Sequence, residues 1–281
     1  MIAAPVRRLE PRDLPTALEV FRSVGWGDRR SLVDFYRDRP DTAFFVAEKD
    51  SRVIGCGGAT VFGPAEAPRS GWVHNIIVRS EARGTGAGTA LTEAAIVWLR
   101  ERRAPTILLL ATALGQPIYE RLGFQADLRY ASVESPPAGH AIDASPRRRR
   151  ARAVDVPAIV RLDADATAED RSSLLLSVVL SGWVVERDGE LEGFHLPCVW
   201  GQGPSVARTP EAGRALIDLC RTLHGPGAVR FGIPETNAPA LAHLESAGAK
   251  PGRFVTRMWL GDPPPVVRGE MIYGVFSFAV G

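Results

Sequence analysis

Apolar residues recur at helical spacing at Leu14, Ala17, Leu18 and Phe21 within PRDLPTALEVFRSVG, which predicts a helix ending at Gly25. A second, shorter helix is expected over residues 29 to 38. The period then changes. TAFFVAEKDSRVIGCGGATVF carries apolar runs and β-branched residues on both sides of Lys49 to Ser51, the pattern of two strands joined by a tight turn. GWVHNIIV, Gly71 to Val78, predicts a third strand. After a glycine-rich loop, Leu91, Ala94, Ala95 and Trp98 return to helical spacing. TILLLA, Thr106 to Ala111, is a continuous apolar strand of the kind buried on both faces. Strand, loop, helix and strand in that order form a βαβ-like unit, so some parallel pairing is expected in a fold of the α/β (α+β) class.

The pattern occurs twice. RRLEPRDLPTALEV (7 to 20) aligns with RRARAVDVPAIVRL (149 to 162), pairing Arg7 with Arg149, Asp13 with Asp155 and Pro15 with Pro157. FVAEKDSRVIG (45 to 55) aligns with WVVERDGELEG (183 to 193), pairing Glu48 with Glu186 and Asp50 with Asp188. Farther on, Glu120 and Gly123 pair with Glu245 and Gly248. Order is kept while the spacing shrinks, as expected for two copies of one fold of which the second has lost loop length. ESPPAGHAIDASP, Glu134 to Pro146, is rich in proline, glycine and small residues and reads as a linker. The expected organisation is a domain over 1–133, a linker over 134–146 and a second domain over 147–281. The run Arg147 to Arg150 reads as a solvated face opening a strand, and MIYGVFSFAV, Met271 to Val280, as a packed final strand.

Composition narrows the chemistry. The chain has 281 residues, 45% of them hydrophobic and 23% charged, with 34 basic against 32 acidic side chains for a net charge of +2. That is ordinary globular usage. It gives no global reason to expect nucleic acid or an anionic membrane as partner. Cys56, Cys198 and Cys220 lie far apart without metal-ligand spacing, so no metal site and no disulfide framework is expected. The start, MIAAPVRRLEPRD, reaches charge within a few residues, and no apolar run approaches membrane-spanning length, so a cytoplasmic location is expected.

The candidate chemistry lies between the third strand and the following helix, in RSEARGTGAG, Arg79 to Gly88. Glycines at 84, 86 and 88 permit positive φ and let several N–H groups point toward one anion at a helix N-terminus. A phosphate or pyrophosphate is the expected guest, with plain turn chemistry as the alternative. The spacing is not that of a nucleotide triphosphatase loop, because no lysine and hydroxyl follow the last glycine.

Arg83-Gly84-Thr85-Gly86-Ala87-Gly88 fits [QR]-x-x-G-x-[GA], and here the chain resembles the GNAT family of acyl-CoA-dependent N-acetyltransferases. ATALGQPIYERLGF, Ala111 to Phe124, adds a tyrosine, a glycine and a phenylalanine where that family has them. The wider pattern resembles bacterial tandem GNAT proteins. The resemblance implies two mixed, mostly antiparallel sheets flanked by helices, and acetyl-CoA as co-substrate. It implies that the amides of Arg83, Gly84, Thr85, Gly86, Ala87 and Gly88 hold the pyrophosphate. The strand edge at Ile77 and Val78 would pair with pantetheine, Thr112 would stand where many members have asparagine, and Tyr119 would protonate the departing thiolate. His74 is the candidate general base, since an ordinary imidazole pKa of about 6.5 suits that role, with a buried or surface histidine of no catalytic part, and water relays in its place, as the alternatives. Gly25, Trp26 and the segment to Asp41 would line the acceptor side, with an amine as acceptor.

In the second copy the link from Ala207 to Leu216 is four residues shorter than its counterpart from Val78 to Leu91, and Pro210 and Glu211 open the helix. A carboxylate there repels phosphate. Asn237, Ala240 and Gly248 are retained, but Leu244 replaces the tyrosine and Ala249 the phenylalanine. The second copy is therefore expected to keep the fold without binding acetyl-CoA. A non-catalytic acyl-CoA-binding regulator or scaffold is the alternative to an enzyme.

Overall fold

The computed structural model describes residues 4–67, 69–138, 148–198 and 202–279. These form two compact units. One runs to Gln125 and regains Met258–Pro263, and the other comprises Ala126–Arg257 and Pro264–Ala279.

In the first unit, β1 (Val6–Arg8), β2 (Thr42–Lys49), β3 (Arg52–Phe62) and β4 (Ser70–Val78) pair antiparallel in sequence order, and β5 (Thr106–Ala111) joins β4 in parallel. Asp50 and Ser51 close the β2–β3 hairpin with φ of 50° and 60°, the left-handed pair that suits strand twist. The helices are α1 (Leu14–Ser23), α2 (Arg30–Arg37), α3 (Ala87–Glu101) and α4 (Gln116–Arg121). The periodic positions of α3 form the inner face, with Leu91, Ala95 and Leu99 buried in one cluster with Val61, Val73 and Ile107. The apolar stripe of α1, with Ala17, Leu18 and Phe21, is likewise buried.

Two irregularities position the site. Parallel pairing of β4 with β5 runs from Ser70–Thr106 to Trp72–Leu108 and goes no further. Between β3 and β4 the register slips, because Cys56 faces Ile77 whereas Gly58 faces His74. Asn75 and Ile76 therefore stand against Gly57 alone, and Asn75 takes a left-handed φ of 54°. This is a β-bulge.

The second unit contains β6 (Gln125–Ser135), β7 (Arg148–Arg150), α5 (Val156–Thr167), α6 (Ser172–Leu175), β8 (Trp183–Arg187), β9 (Glu190–His195), β10 (Ser205–Ala207), α7 (Pro210–Leu223), β11 (Val229–Pro234), α8 (Ala238–Ser246), β12 (Lys250–Gly261) and β13 (Ile272–Gly274). A five-stranded sheet runs β13-β10-β9-β8-β7, and β11 pairs antiparallel with β6. Leu216 and Cys220 of α7 and Phe231 of β11 are buried in one cluster with Leu244 and Tyr273.

The units do not divide where the sequence repeat does. β6, the last strand of the first copy by sequence, groups with the second unit, where its six-position register with β11 holds it. The end of β12 groups with the first unit, where the Asp262 amide donates to the Pro105 carbonyl at 3.0 Å. The expected linker falls within the second unit's stretch of chain, and its residues 139–146, like Arg147, lie outside the described residues.

Two further expectations change. Arg149 is no solvated member of a basic face, because its guanidinium is taken by Asp155 and Glu186. The final strand is shorter than Met271 to Val280. Met271 belongs to a 3-10 turn, only Ile272–Gly274 are extended in a ladder, and Val280 lies outside the described residues.

Candidate active site

Glycines in β3 prepare the bulge. A Cβ on Gly57 would come 2.5 Å from Ile76, one on Gly55 2.8 Å from the Ile77 carbonyl, and one on Gly58 2.3 Å from the His74 ring. No side chain fits at any of the three, so β4 presses onto bare backbone here. The signal was legible as the run Gly55-Cys56-Gly57-Gly58, since glycine inside a strand marks a bulge or a close approach.

His74 occupies the place so cleared and is 3% exposed. Its Nε2 lies 3.0 Å from Thr60 Oγ1, which lies 3.1 Å from Thr42 Oγ1, and its Nδ1 lies 2.8 Å from Asn75 Nδ2. The amide of Asn75 donates to Nδ1, so Nε2 carries the proton and donates to Thr60. Both nitrogens are engaged. Burial among Tyr36 and Phe44 drives its pKa down to about 3, because the charged ring has no water there. Through its contacts with Thr60 and Asn75 the ring joins the bulge to β3. Sequence reasoning missed Asn75, Thr60 and Thr42, whose alliance depends on the β2–β3 and β3–β4 registers.

The glycine loop lies where β4 ends. Gly84 and Gly86 have φ of 77° and 85°, so a side chain at either would be strained by its backbone alone, a Cβ there meeting nothing within 4 Å. Gly86 is the N-cap of the fifteen-residue α3, and no side chain caps that helix. Arg83, Gly84 and Gly86 are exposed, Thr85 and Gly88 half-buried and Ala87 buried. Thr85 Oγ1 donates to the Ala82 carbonyl at 2.8 Å, tying the loop to the turn before it. The uncapped start of a long helix, reached through a loop of two left-handed glycines, is a site of positive potential for an anion.

Three expected pieces come together at Gly88, whose Cβ position lies 3.7 Å from Val78 and 3.8 Å from Ile118 of α4. Ile77 and Val78 follow the bulge on the stretch of β4 beyond its pairing with β5. Thr112 stands in the turn that leads into α4, its carbonyl accepting from the amides of Gly115 and Gln116 at 2.9 Å each. One turn on, the Tyr119 ring edge lies against Gly115, where a Cβ would come within 3.1 Å, and meets Phe124 at a centroid distance of 5.9 Å. Burial pushes the phenol up to about 12, so it keeps its proton at every ordinary pH. Trp26 leans on Phe21 with ring centroids 6.1 Å apart. Cys56 is buried in β3, its thiol pushed up to about 12, and behaves as a small apolar residue.

The matching helix of the second copy starts differently. Thr209 caps α7 by accepting from the Ala212 amide at 3.3 Å, and Glu211 stands in its first turn. Leu244 is fully buried where the first copy has Tyr119.

Comparisons with known proteins agree with this duplication. The profile described as "Acetyltransferase (GNAT) family" matches residues 10–124, and one described as "Acetyltransferase (GNAT) domain" matches 159–274. The mycothiol acetyltransferase of Acidothermus cellulolyticus is 34% identical over 100 residues, a match spanning 31% of this chain and 30% of that relative. The uncharacterized N-acetyltransferase YitH of Bacillus subtilis is 26% identical over 82% of this chain and 81% of its own length. A crystal structure from Pyrococcus horikoshii superposes with a TM-score of 0.81 at 20% identity, covering 100% of this chain and 97% of that one, which speaks for the fold. Two matched domains, duplicated elements and relatives named as acetyltransferases lead to one conclusion: the chain belongs to the GNAT family, carries two of its domains in tandem, and is an acyl-CoA N-acyltransferase.

Proposed function

We propose that the first copy carries the transfer, moving an acetyl group from acetyl-CoA to an amine. The observation that carries this reading is the convergence at Gly88 of the open glycine loop, the free stretch of β4 and α4 with Tyr119. The amides from Arg83 to Gly88 and the start of α3 would hold the pyrophosphate. The edge at Ile77 and Val78 would take the pantetheine amides as a strand takes a neighbour, with the Thr112 hydroxyl beside them. When bound, acetyl-CoA supplies a thioester carbonyl open to a nucleophile.

In the step itself the amine nitrogen bonds to the acyl carbon and gives up a proton to solvent, the carbon–sulfur bond breaks, and the departing sulfur takes a proton from Tyr119. The phenol recovers its proton from solvent. With His74 committed to Thr60 and Asn75, the amine arrives already neutral. The neutral fraction of a lysine-like amine, with a pKa of about 10.4, grows with pH. The second copy supports this division of labour, because Thr209 and Glu211 occupy the helix start that phosphate would need.

The test is free thiol release from acetyl-CoA across a panel of amines, run beside a calorimetric titration with coenzyme A. Acceptor-dependent release, lost in Tyr119→Phe, is the expected outcome. Tight binding of coenzyme A with no release from any amine would leave a binder and overturn the catalytic reading.

A further inference from the structure

In the first unit the parallel pairing of β4 and β5 ends early, whereas the matching strands of the second unit, β10 and β11, have a piece of the chain between them. β13 lies antiparallel to β10, with Ser205 facing Gly274 and Val206 facing Ile272. Just beyond, the Val275 amide donates to the Gly232 carbonyl of β11 at 3.2 Å. Residues 272–275 thus bond to one strand on each side.

Three further features are fitted to this segment. Asn237 matches Thr112 in the repeat, and its Nδ2 donates to the carbonyls of Glu270 at 3.1 Å and Ile272 at 2.9 Å. Its Oδ1 meanwhile accepts from the Ala240 amide at 3.0 Å and caps α8. Gly213 matches Gly88, and a Cβ there would lie 2.1 Å from the Tyr273 ring. Gly232 on β11 leaves the space where a Cβ would come 2.5 Å from Val275 and 3.0 Å from Phe278. A strand edge, a side-chain amide reading main-chain carbonyls and two seats cleared by glycine are how a protein holds an extended peptide.

We propose that the stretch centred on residues 272–275 is the resident ligand of a peptide slot in the second copy, seated where, on the reading of the first copy given above, pantetheine lies. A pantetheine arm and an extended peptide present the same groups, amide donors and acceptors along an extended chain. The second copy has kept the edge and the amide side chain that read such a chain, and has given up the phosphate end, where Thr209 caps the helix. Its slot therefore takes an apolar extended peptide and not a coenzyme.

Two full-length variants test this. Asn237→Asp keeps an oxygen for the Ala240 amide but sets a carboxylate against the carbonyls of Glu270 and Ile272. Hydrogen exchange at residues 271–275 is expected to accelerate at least tenfold while α7 and β9 stay protected. In Tyr273→Gly/Val275→Gly the resident segment is weakened and the slot left whole. A synthetic peptide of residues 269–279 is expected to bind this variant saturably and to slow exchange in β10, and not to bind the wild-type chain, whose slot is filled. Uniform acceleration across the second unit in Asn237→Asp would make the segment an inseparable strand of the fold and overturn the proposal. So would refusal of the peptide by a folded double variant. If the double variant does not fold, the exchange pattern of Asn237→Asp decides. Neither readout uses coenzyme A, so a chain that takes the peptide in trans but binds no coenzyme A would defeat the reading of the first copy and leave this one standing.

Discussion

Arg149 grips Asp155 through two parallel bonds of 2.7 Å, and Arg7 grips Asp13 in the same way at 2.6 and 2.9 Å. Each arginine also reaches a glutamate on a neighbouring strand, Glu186 in one case and Glu48 in the other. Each aspartate accepts a main-chain amide as well, from Arg152 and Glu10, and so fixes the turn that starts a helix. One clamp, built twice, joins the first strand of each copy to its first helix. The arginine's hydrogen bonds hold both aspartates below the usual carboxylate range. An aspartate whose folded pKa is depressed contributes stability that is present above its unfolded value of about 3.9 and lost as pH falls through the folded value. Arg149→Ala strands a buried carboxylate and is expected to cost about 2 kcal/mol in urea unfolding at pH 7. The difference from wild type should narrow as the pH is taken below 4, and a constant difference would contradict the clamp.

His74 gives a second window of the same sign, beginning at higher pH. Its folded pKa of about 3 lies below an ordinary imidazole, and His195 is likewise lowered to about 4, both by burial. Between these values and about 6.5 the unfolded chain binds protons that the folded chain refuses, so stability falls as the pH drops through that range. Melting temperatures from pH 7 to pH 4 should decline, and His74→Phe should flatten part of that decline while lowering stability at pH 7.

The rate profile separates a structural His74 from a catalytic one. With no imidazole collecting the proton, kcat/KM for a lysine-like amine should rise tenfold per pH unit from 6 to 9, without a bend near 6.5. The raised Tyr119 phenol adds no descending limb below pH 10. Initial rates of thiol release across that range check both statements.

Tyr119→Phe removes a proton donor and keeps the ring that packs on Phe124. A loss in kcat of about 10²- to 10⁴-fold is expected, the usual span for a positioned acid. The dissociation constant for coenzyme A should stay within about twofold, since no phosphate or pantetheine contact is assigned to the hydroxyl.

Gly58→Ala tests the cradle. Its Cβ would sit 2.3 Å from the His74 ring, so either the ring or the bulge must move. Overpacking of this kind costs about 1 to 3 kcal/mol. Gly84→Ala meets no atom within 4 Å but must hold a φ of 77°, and its effect should fall on coenzyme A affinity more than on melting temperature.

Much of this protein is written locally. The helical stripe of Leu91, Ala95 and Trp98, the Asp50–Ser51 hairpin, the apolar run of β5 and the glycines before α3 each act over a few residues, so periodicity and turn chemistry reveal them in the chain alone. The duplication is equally legible, because Arg7, Asp13 and Glu48 recur in order as Arg149, Asp155 and Glu186. What the chain alone leaves undecided is every relationship that depends on register or on distant partners. His74 shows in the chain only as a histidine within a strand, and the slip opposite Gly57 is what sets it over Gly58 and between Thr60 and Asn75. The ends of β6 and β12 follow their hydrogen-bond partners and not the order of the repeat. The segment around Tyr273 reads as one more apolar strand, and only packing shows that Gly213, Gly232 and Asn237 are shaped to receive it. Sequence fixes propensities at short range. Which polar groups end up satisfied, and by whom, is a property of the closed fold, since a donor and acceptor far apart along the chain leave no mark until tertiary structure brings them within 3 Å.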